Sequence, residues 1–398
     1  MHREDFEMLN NNIVYFDNGA TTFKPKLVVN AINDYYTKYT ANAHRGDYKN
    51  SLLVNEKYDE ARQKVANFIN AESSSEIVFT SGATHSLNFV VFNYFKKILK
   101  KGDEVLTTLS EHASNLLPWF VLEKEIGIKV KYIELNEDYE VTLENVEKAI
   151  NNNTRVIALA HITNVIGDIR PIKDICVLAH RRDIKVVVDA AQSIAHTKVD
   201  VRDLDVDFLA FSAHKMYGPT GIGVLYGKYS LLEEMEPLFY GGGMNAIYSK
   251  DGYIELMEIP TRFEAGTQNI EGVIGLSAAI DYINKIGISN ISKYEEELRD
   301  YLIKKLKELD FIEIYNINDS NINVAFNIKN VFSQDTAIYL DKYNICIRAG
   351  NHCSKVLNEV ISVNNTCRIS LSFYNTKDEI DLLINVLKNS KNLYKEIL

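Results

Sequence analysis

Seven short apolar runs, set among helix-period stretches from about residue 55 to residue 226, restrict the folds open to this chain more than any other feature. They read "EIVFT" (76–80), "DEVLTT" (103–108), "KVKYIEL" (129–135), "RVIALA" (155–160), "KVVVDA" (185–190), "DFLAFS" (207–212) and "GIGVLY" (221–226). Several are unbroken β-branched stretches, the pattern of strands covered on both faces, and 84–99 and 171–182 carry apolar residues at helical spacing. This order predicts an α/β fold built on a mainly parallel sheet with helices on both sides. Ligands of such sheets bind beyond the carboxyl ends of the strands, so the polar residues closing each run are the ones to weigh for function.

Those residues make a consistent set. "VFTSGATHSLNF" passes from strand through a glycine turn into a helix, offering free backbone N–H groups and the Thr84 hydroxyl to an anion. Asn164 follows a strand in "ALAHITNVIGD", where a turn-bonding asparagine is an equally simple reading. Asp189 closes three valines; it is either the cap of the next helix or a carboxylate that must be paired or used, because burial without a partner is costly. Lys215 ends another strand, just after Ser212 and His214. Desolvation lowers an amine's pKa toward neutrality, as covalent chemistry on an aldehyde requires. An anion cradle (Thr84, Ser212, His214), a carboxylate for a protonated ring nitrogen (Asp189) and an amine for an aldehyde (Lys215) together match the three handles of pyridoxal phosphate. His112, at the end of "LSEH", can lie against such a ring, although a lone strand-end histidine is as readily structural.

The rest of the composition narrows the class. At 398 residues the chain has ample material for a core, and 46% hydrophobic with 25% charged residues is ordinary for a globular protein. A formal net charge of −10 without a basic stripe argues against nucleic acid or an anionic membrane as partner. No stretch reaches the ~18 apolar residues of a membrane span and "MHREDFEMLNNN" is no signal peptide, so the cytoplasm is the expected location. Cys176, Cys346, Cys353 and Cys367 form no C-x-x-C pair and are too few to staple the chain; Cys176 and Cys346 fit apolar packing positions. Residues 241–257 look like a projecting hairpin turning at Lys-Asp-Gly, and beyond about 270 the pattern becomes that of a smaller α+β unit.

Taken together, the residues resemble those of fold-type I pyridoxal phosphate enzymes of the class V aminotransferase family, and within it the SufS-like cysteine desulfurases. The resemblance rests on "YFDNGATTFKP", "AHRGDY", "SGATHSLN", "EHASNLLPW", "ITNVIGDI", "VVVDAAQS", "FSAHKMYGPTGIGVLY", "GGGM", "RFEAGTQN", "RAGNHC" and "CRISLSFYNT", in the family's order along nearly the whole chain. It implies a seven-stranded, mainly parallel sheet in a large domain of residues 15–265. Residues 1–14 and 266–398 would form the smaller domain.

The resemblance also implies roles. Lys215 would bond the cofactor's aldehyde, Asp189 would face the ring nitrogen and His112 would stack on the ring. Asn164 and Gln192 would reach the ring's phenolic oxygen and the substrate. Thr84, Ser212 and His214 would hold the phosphate, joined by Thr267 from a second subunit of a homodimer. Arg348 and Arg368 would bind the substrate carboxylate, a task suited to the guanidinium fork. Cys353 would be the nucleophile that takes sulfur from L-cysteine, leaving alanine, and would pass it to an acceptor or scaffold protein of iron–sulfur cluster assembly. Arg348, His352 and Lys355 lie near it in sequence and suggest a cationic setting that favours thiolate. No metal is implied. A selenocysteine lyase, or another aminotransferase or lyase of the same fold, is the alternative. The chain departs from the family pattern at Asn351, where a histidine is common, at Ala213, and in "EHASN", which more often reads Glu-His-His-Ala-Asn.

Overall fold

The computed structural model describes residues 2–43, 46–315, 323–390 and 393–397. After a two-residue strand β1 (Val14–Tyr15) come β2 (Ile77–Thr80), β3 (Glu104–Thr107), β4 (Lys129–Tyr132), β5 (Thr154–Ala160), β6 (Lys185–Asp189), β7 (Phe208–Ser212) and β8 (Gly223–Gly227). The last seven form one sheet in the order β2-β8-β7-β6-β5-β3-β4. Only β8 runs against its neighbours, β2 and β7, and all other pairs are parallel. Each of the seven runs read from the sequence is a strand of this sheet.

Its two faces explain the unbroken apolar runs. Val186, Val188, Leu209 and Phe211 pack into one core cluster, while Val187, Phe208, Ala210 and Val156 pack into another. Neighbours along a strand point to opposite faces, so both sets must be apolar when helices cover both sides. One cover is the helix Ile172–His180. The other expected helix, 84–99, is Ala83–Val90 followed by a wider π turn at Val91–Phe95 and a last turn at Lys96–Ile98.

Where β8 crosses between β2 and β7, the backbones nearly touch. A Cβ on Gly223 would lie 2.4 Å from Gly82 Cα and 2.6 Å from the Phe211 carbonyl oxygen, so no other residue fits there without moving a strand. Gly221, at φ +73°, makes the turn that precedes it.

A hairpin of β9 (Asn245–Tyr248) and β10 (Ile254–Leu256) then projects from the body, turning through Ser249–Gly252 as the Lys-Asp-Gly signal implied. The helix Ile270–Ile286 buries its apolar face in the first of the two core clusters. The smaller sheet contains β11 (Ile312–Ile314), β12 (Asn323–Ile328), β14 (Arg348–Gly350) and β15 (Thr366–Ser370), antiparallel in the order β11-β12-β15-β14. The short β13 (Ile345–Cys346) lies outside it and pairs in parallel with β1, so the chain's start is stitched to its end. Cys176 is fully buried, and Cys346 is half-buried beside Tyr15. Among the described residues no helix is long and apolar enough to cross a membrane.

Candidate active site

The parallel strands all end on one side of the large sheet, where a cavity of about 230 Å³ opens toward the smaller sheet. Thr84, His112, Asn164, Asp189, Gln192, Ser212, His214, Lys215, Arg348, Cys353 and Arg368 all line it. Of the residues expected to bind cofactor or substrate or to act in catalysis, Thr267 alone lies elsewhere. It sits at a neighbouring cavity that shares Thr84, and its Oγ1 accepts from Asn42 Nδ2 at 3.3 Å. His44 and Arg45 of "AHRGDY" fall outside the described residues.

Asp189 is buried at the end of β6, where Oδ1 accepts from the Ala191 N–H at 2.9 Å. Among the described residues it has no ion pair, and burial raises its pKa. A buried carboxylate that faces a cavity and pairs directly with no cation among the described residues suits a ligand that brings a positive N–H. Lys215 follows β7 in a single 3₁₀ turn, and the peptide before it is pinned because the His214 carbonyl accepts from Thr22 N at 3.0 Å and Lys24 Nζ at 3.2 Å. The Lys215 side chain is partly open to the cavity, yet the surrounding protein desolvates the amine. Desolvation first, with Arg368 and Arg348 adding to it and Asp189 and Cys353 opposing, brings its pKa down to about 8.

His112 caps the helix Ala113–Ile126, its Nδ1 accepting from the Ser114 N–H at 3.1 Å. Burial, then Lys215, pushes its pKa down to about 4, so the ring is neutral with its proton on Nε2. Glu111 beside it is locked by the buried Arg170 guanidinium, Asn115 Nδ2 and the Ala160 N–H. At the cavity's other end the helix Ala83–Val90 begins at Gly82 with no side-chain cap. Ser212 Oγ accepts from the Ala83 N–H at 2.8 Å, leaving its own O–H to donate, and Thr84 Oγ1 meets Ser114 Oγ at 2.7 Å. A helix start whose own N-cap is a glycine, flanked by two hydroxyls, suits an anion.

Cys353 enters from the smaller sheet's side, in the loop after β14. Its side chain is exposed, and both it and His352 adopt left-handed backbone, at φ +57° and +50°. Two such non-glycine residues in a row are strained and need anchoring. The anchors are the Cys353 carbonyl, which accepts from Ala113 N at 2.8 Å, and Asn164. Asn164 Nδ2 donates to the His352 carbonyl at 2.7 Å, and its Oδ1 accepts from Ser354 Oγ at 2.9 Å. Its amide thus grips the Cys353 loop on both sides. Gln192 Nε2 likewise donates to the Gly19 carbonyl at 2.8 Å.

His352 is not part of a cationic setting. Its Nε2 meets Thr366, no partner among the described residues reaches Nδ1, and burial drives its pKa to about 3, so it is neutral. The positive charges near Cys353 at the cavity are Arg348, Arg368 and Lys215. Asn351 is exposed, accepts from Asn358 Nδ2 and does not line the cavity. Asp17, Ser114, Ser354 and Thr366 were not singled out from sequence; only "YFDNGATT" carried any signal for the first of them.

The buried imidazoles fix a pH response. His112, His161 and His214 are depressed to about 4 and His352 to about 3, in each case first by burial. An unfolded histidine protonates near ~6.5, so below that pH the unfolded chain holds more protons and stability must fall. His180, raised by Asp207, and Asp189, raised by burial, oppose this only in part. Thermal scans should show Tm dropping by more than about 5 °C between pH 6.5 and pH 4, and a flat profile would contradict the assignment of neutral imidazoles.

An amine and a carboxylate lining one cavity at the strand ends of a doubly covered, mainly parallel sheet define the class of fold-type I enzymes, whose members use pyridoxal phosphate. The family model for class V aminotransferases matches residues 14–383. A probable cysteine desulfurase of Halalkalibacterium halodurans is 42% identical over 396 residues, 99% of this chain and 97% of the relative. The apo structure of a cysteine desulfurase from Thermococcus onnurineus superposes with a TM-score of 0.94 at 40% identity, covering 97% of this chain and 96% of the other. The cysteine desulfurase CsdA of Escherichia coli, solved with S-sulfonic acid, gives 0.93 at 36% identity with 98% of both chains covered. The chain belongs to the class V aminotransferase family and, within it, to the cysteine desulfurases.

Proposed function

We propose that the protein converts L-cysteine to L-alanine and keeps the sulfur as a persulfide on Cys353. The observation that carries this is the placement of Cys353 at the mouth of the cavity holding Lys215 and Asp189, on a loop anchored through Asn164 and Ala113. Pyridoxal phosphate, when bound, supplies an electron sink for a carbanion at the substrate's Cα. Asp189 holds the ring's N–H; Ser212, Thr84, His214 and the start of the helix Ala83–Val90 hold the phosphate. Lys215 Nζ removes the Cα proton, and His112 Nε2 donates protons to the departing fragment. Arg368 and Arg348 hold the substrate carboxylate. Cys353 Sγ bonds to the substrate sulfur, the carbon–sulfur bond breaks toward carbon, and the three-carbon fragment takes up protons to become alanine.

The same reading includes a homodimer, in which Thr267 reaches the partner's phosphate site. The hairpin supports it, because Ile247, Tyr248, Tyr253 and Ile254 all lie exposed on it with Phe239 and Tyr240 nearby. A cytoplasmic location and delivery of the sulfur to an acceptor protein of iron–sulfur assembly complete the proposal. Incubation with L-cysteine should yield alanine and a 32-dalton adduct mapping to Cys353, about the mass of one sulfur atom. Alanine release with no adduct on Cys353 would overturn it.

A further inference from the structure

We propose that Asp17 is a positioning residue that sets Arg368 and Arg348 for the α-carboxylate of the amino-acid substrate. This rests on the desulfurase reading, and Asp17 does not itself line the cavity. Its carboxylate lies between two guanidinium groups: Oδ1 is 2.9 Å from Arg368 Nη2, and Oδ2 is 3.5 Å from Arg348 Nη1. Arg368 is buried and Asp17 nearly so, whereas Arg348 is 44% exposed and has no other partner among the described residues. Among the described residues, only Asp17 ties the Arg348 side chain to the site.

The rest of the Arg368 fork is organised in the same way. Nη1 donates to the Asn164 carbonyl at 2.8 Å, and the buried Nε has no partner among the described residues. The guanidinium lies flat against the loop after Asp17, where a Cβ on Gly19 would come within 3.1 Å of Nη2. That loop is itself fixed to β15: the Ser370 N–H donates to the Phe16 carbonyl at 2.8 Å, and Gly19 N donates to Ser370 Oγ at 2.7 Å. Asp17 is therefore a rigid post, and two arginines lean on it.

Charge follows geometry. Two guanidinium groups and one carboxylate leave a single positive charge uncompensated, which matches one substrate carboxylate. An asparagine in the same place has one acceptor oxygen and turns an NH₂ group toward the second arginine, so it cannot bridge both. One arginine would lose its geometry, and a fork that is not pre-set binds a carboxylate more weakly.

The test uses the cofactor-loaded enzyme. For Asp17→Asn, KM for L-cysteine is expected to rise at least tenfold while kcat stays within threefold. Competitive inhibition by cysteamine, which has the amine and thiol but no carboxylate, should be unchanged. In an Arg368→Lys background the same substitution should raise KM by less than it does in the parent, because only the part of its effect that passes through Arg348 is left. An unchanged or lower KM, an equal weakening of cysteamine, or full additivity with Arg368→Lys would each overturn the role of Asp17. A parent enzyme that releases no alanine from L-cysteine would overturn the desulfurase assignment instead, which keeps the two failures apart.

Discussion

Lys215→Ala is expected to lose alanine release from L-cysteine by about 10²–10⁴-fold, the range for removal of a placed general base, while still retaining the cofactor. The argument starts from the amine's state. With its pKa brought down to about 8 by burial and by Arg368 and Arg348, about a quarter of it is a free base at pH 7.5, against roughly one part in a thousand at the ordinary lysine value. A free base can take a Cα proton; an ammonium cannot. Because protonation blocks it, the rate at which the apoenzyme links covalently to added cofactor should climb with pH and level off above about 8. Retention in the variant follows from the other handles, since Asp189 and the Ser212 and Thr84 hydroxyls are untouched. Gel filtration after loading measures that retention, and an activity assay measures the loss. A variant keeping more than a tenth of the parent rate would show that another group takes the proton.

The sheet was legible because its evidence is local. Three valines before Asp189, or "DFLAFS" before His214, record burial on both faces within a few residues, and the carboxyl-end rule then points to the cavity. Asp189 and Lys215 were legible for the same reason, since a charge closing a buried strand needs an explanation. What stayed hidden depends on pairings between distant parts of the chain. Asp17 gains meaning only from Arg368, 351 positions away, and the Asn164 amide only from the loop around Cys353, 188 and 190 positions away. His352 shows the opposite error: counted as a cation from its place in the sequence, it is neutral because burial and then Arg368 hold its pKa down to about 3 in spite of its hydrogen bond to Thr366. The C-terminal unit was read as α+β, which its antiparallel sheet and helices bear out. The pairing of β13 with β1 was not, because two-residue strands carry no periodicity to read.

Cys353→Ser should cut alanine formation from L-cysteine by about three orders of magnitude, as removal of a covalent nucleophile typically does, with Tm and cofactor retention close to the parent's. Stability should hold because the side chain is exposed and the loop's anchors are other atoms: the residue's own carbonyl on Ala113 N, the His352 carbonyl on Asn164 Nδ2, and His352 Nε2 on Thr366. Serine keeps those bonds and the left-handed backbone, so what disappears is the sulfur alone. A neutral hydroxyl is a poor nucleophile toward sulfur and cannot store it as a persulfide, whereas a thiolate does both. The loop's strain then has a use. Successive left-handed residues at His352 and Cys353 hold the thiol at the cavity's mouth instead of letting the loop relax away, which reduces the reorganisation needed when substrate arrives. Parent-level alanine with free sulfide from the serine variant would mean that the carbon–sulfur bond breaks without Cys353, and the enzyme would then be a lyase in which that cysteine is incidental.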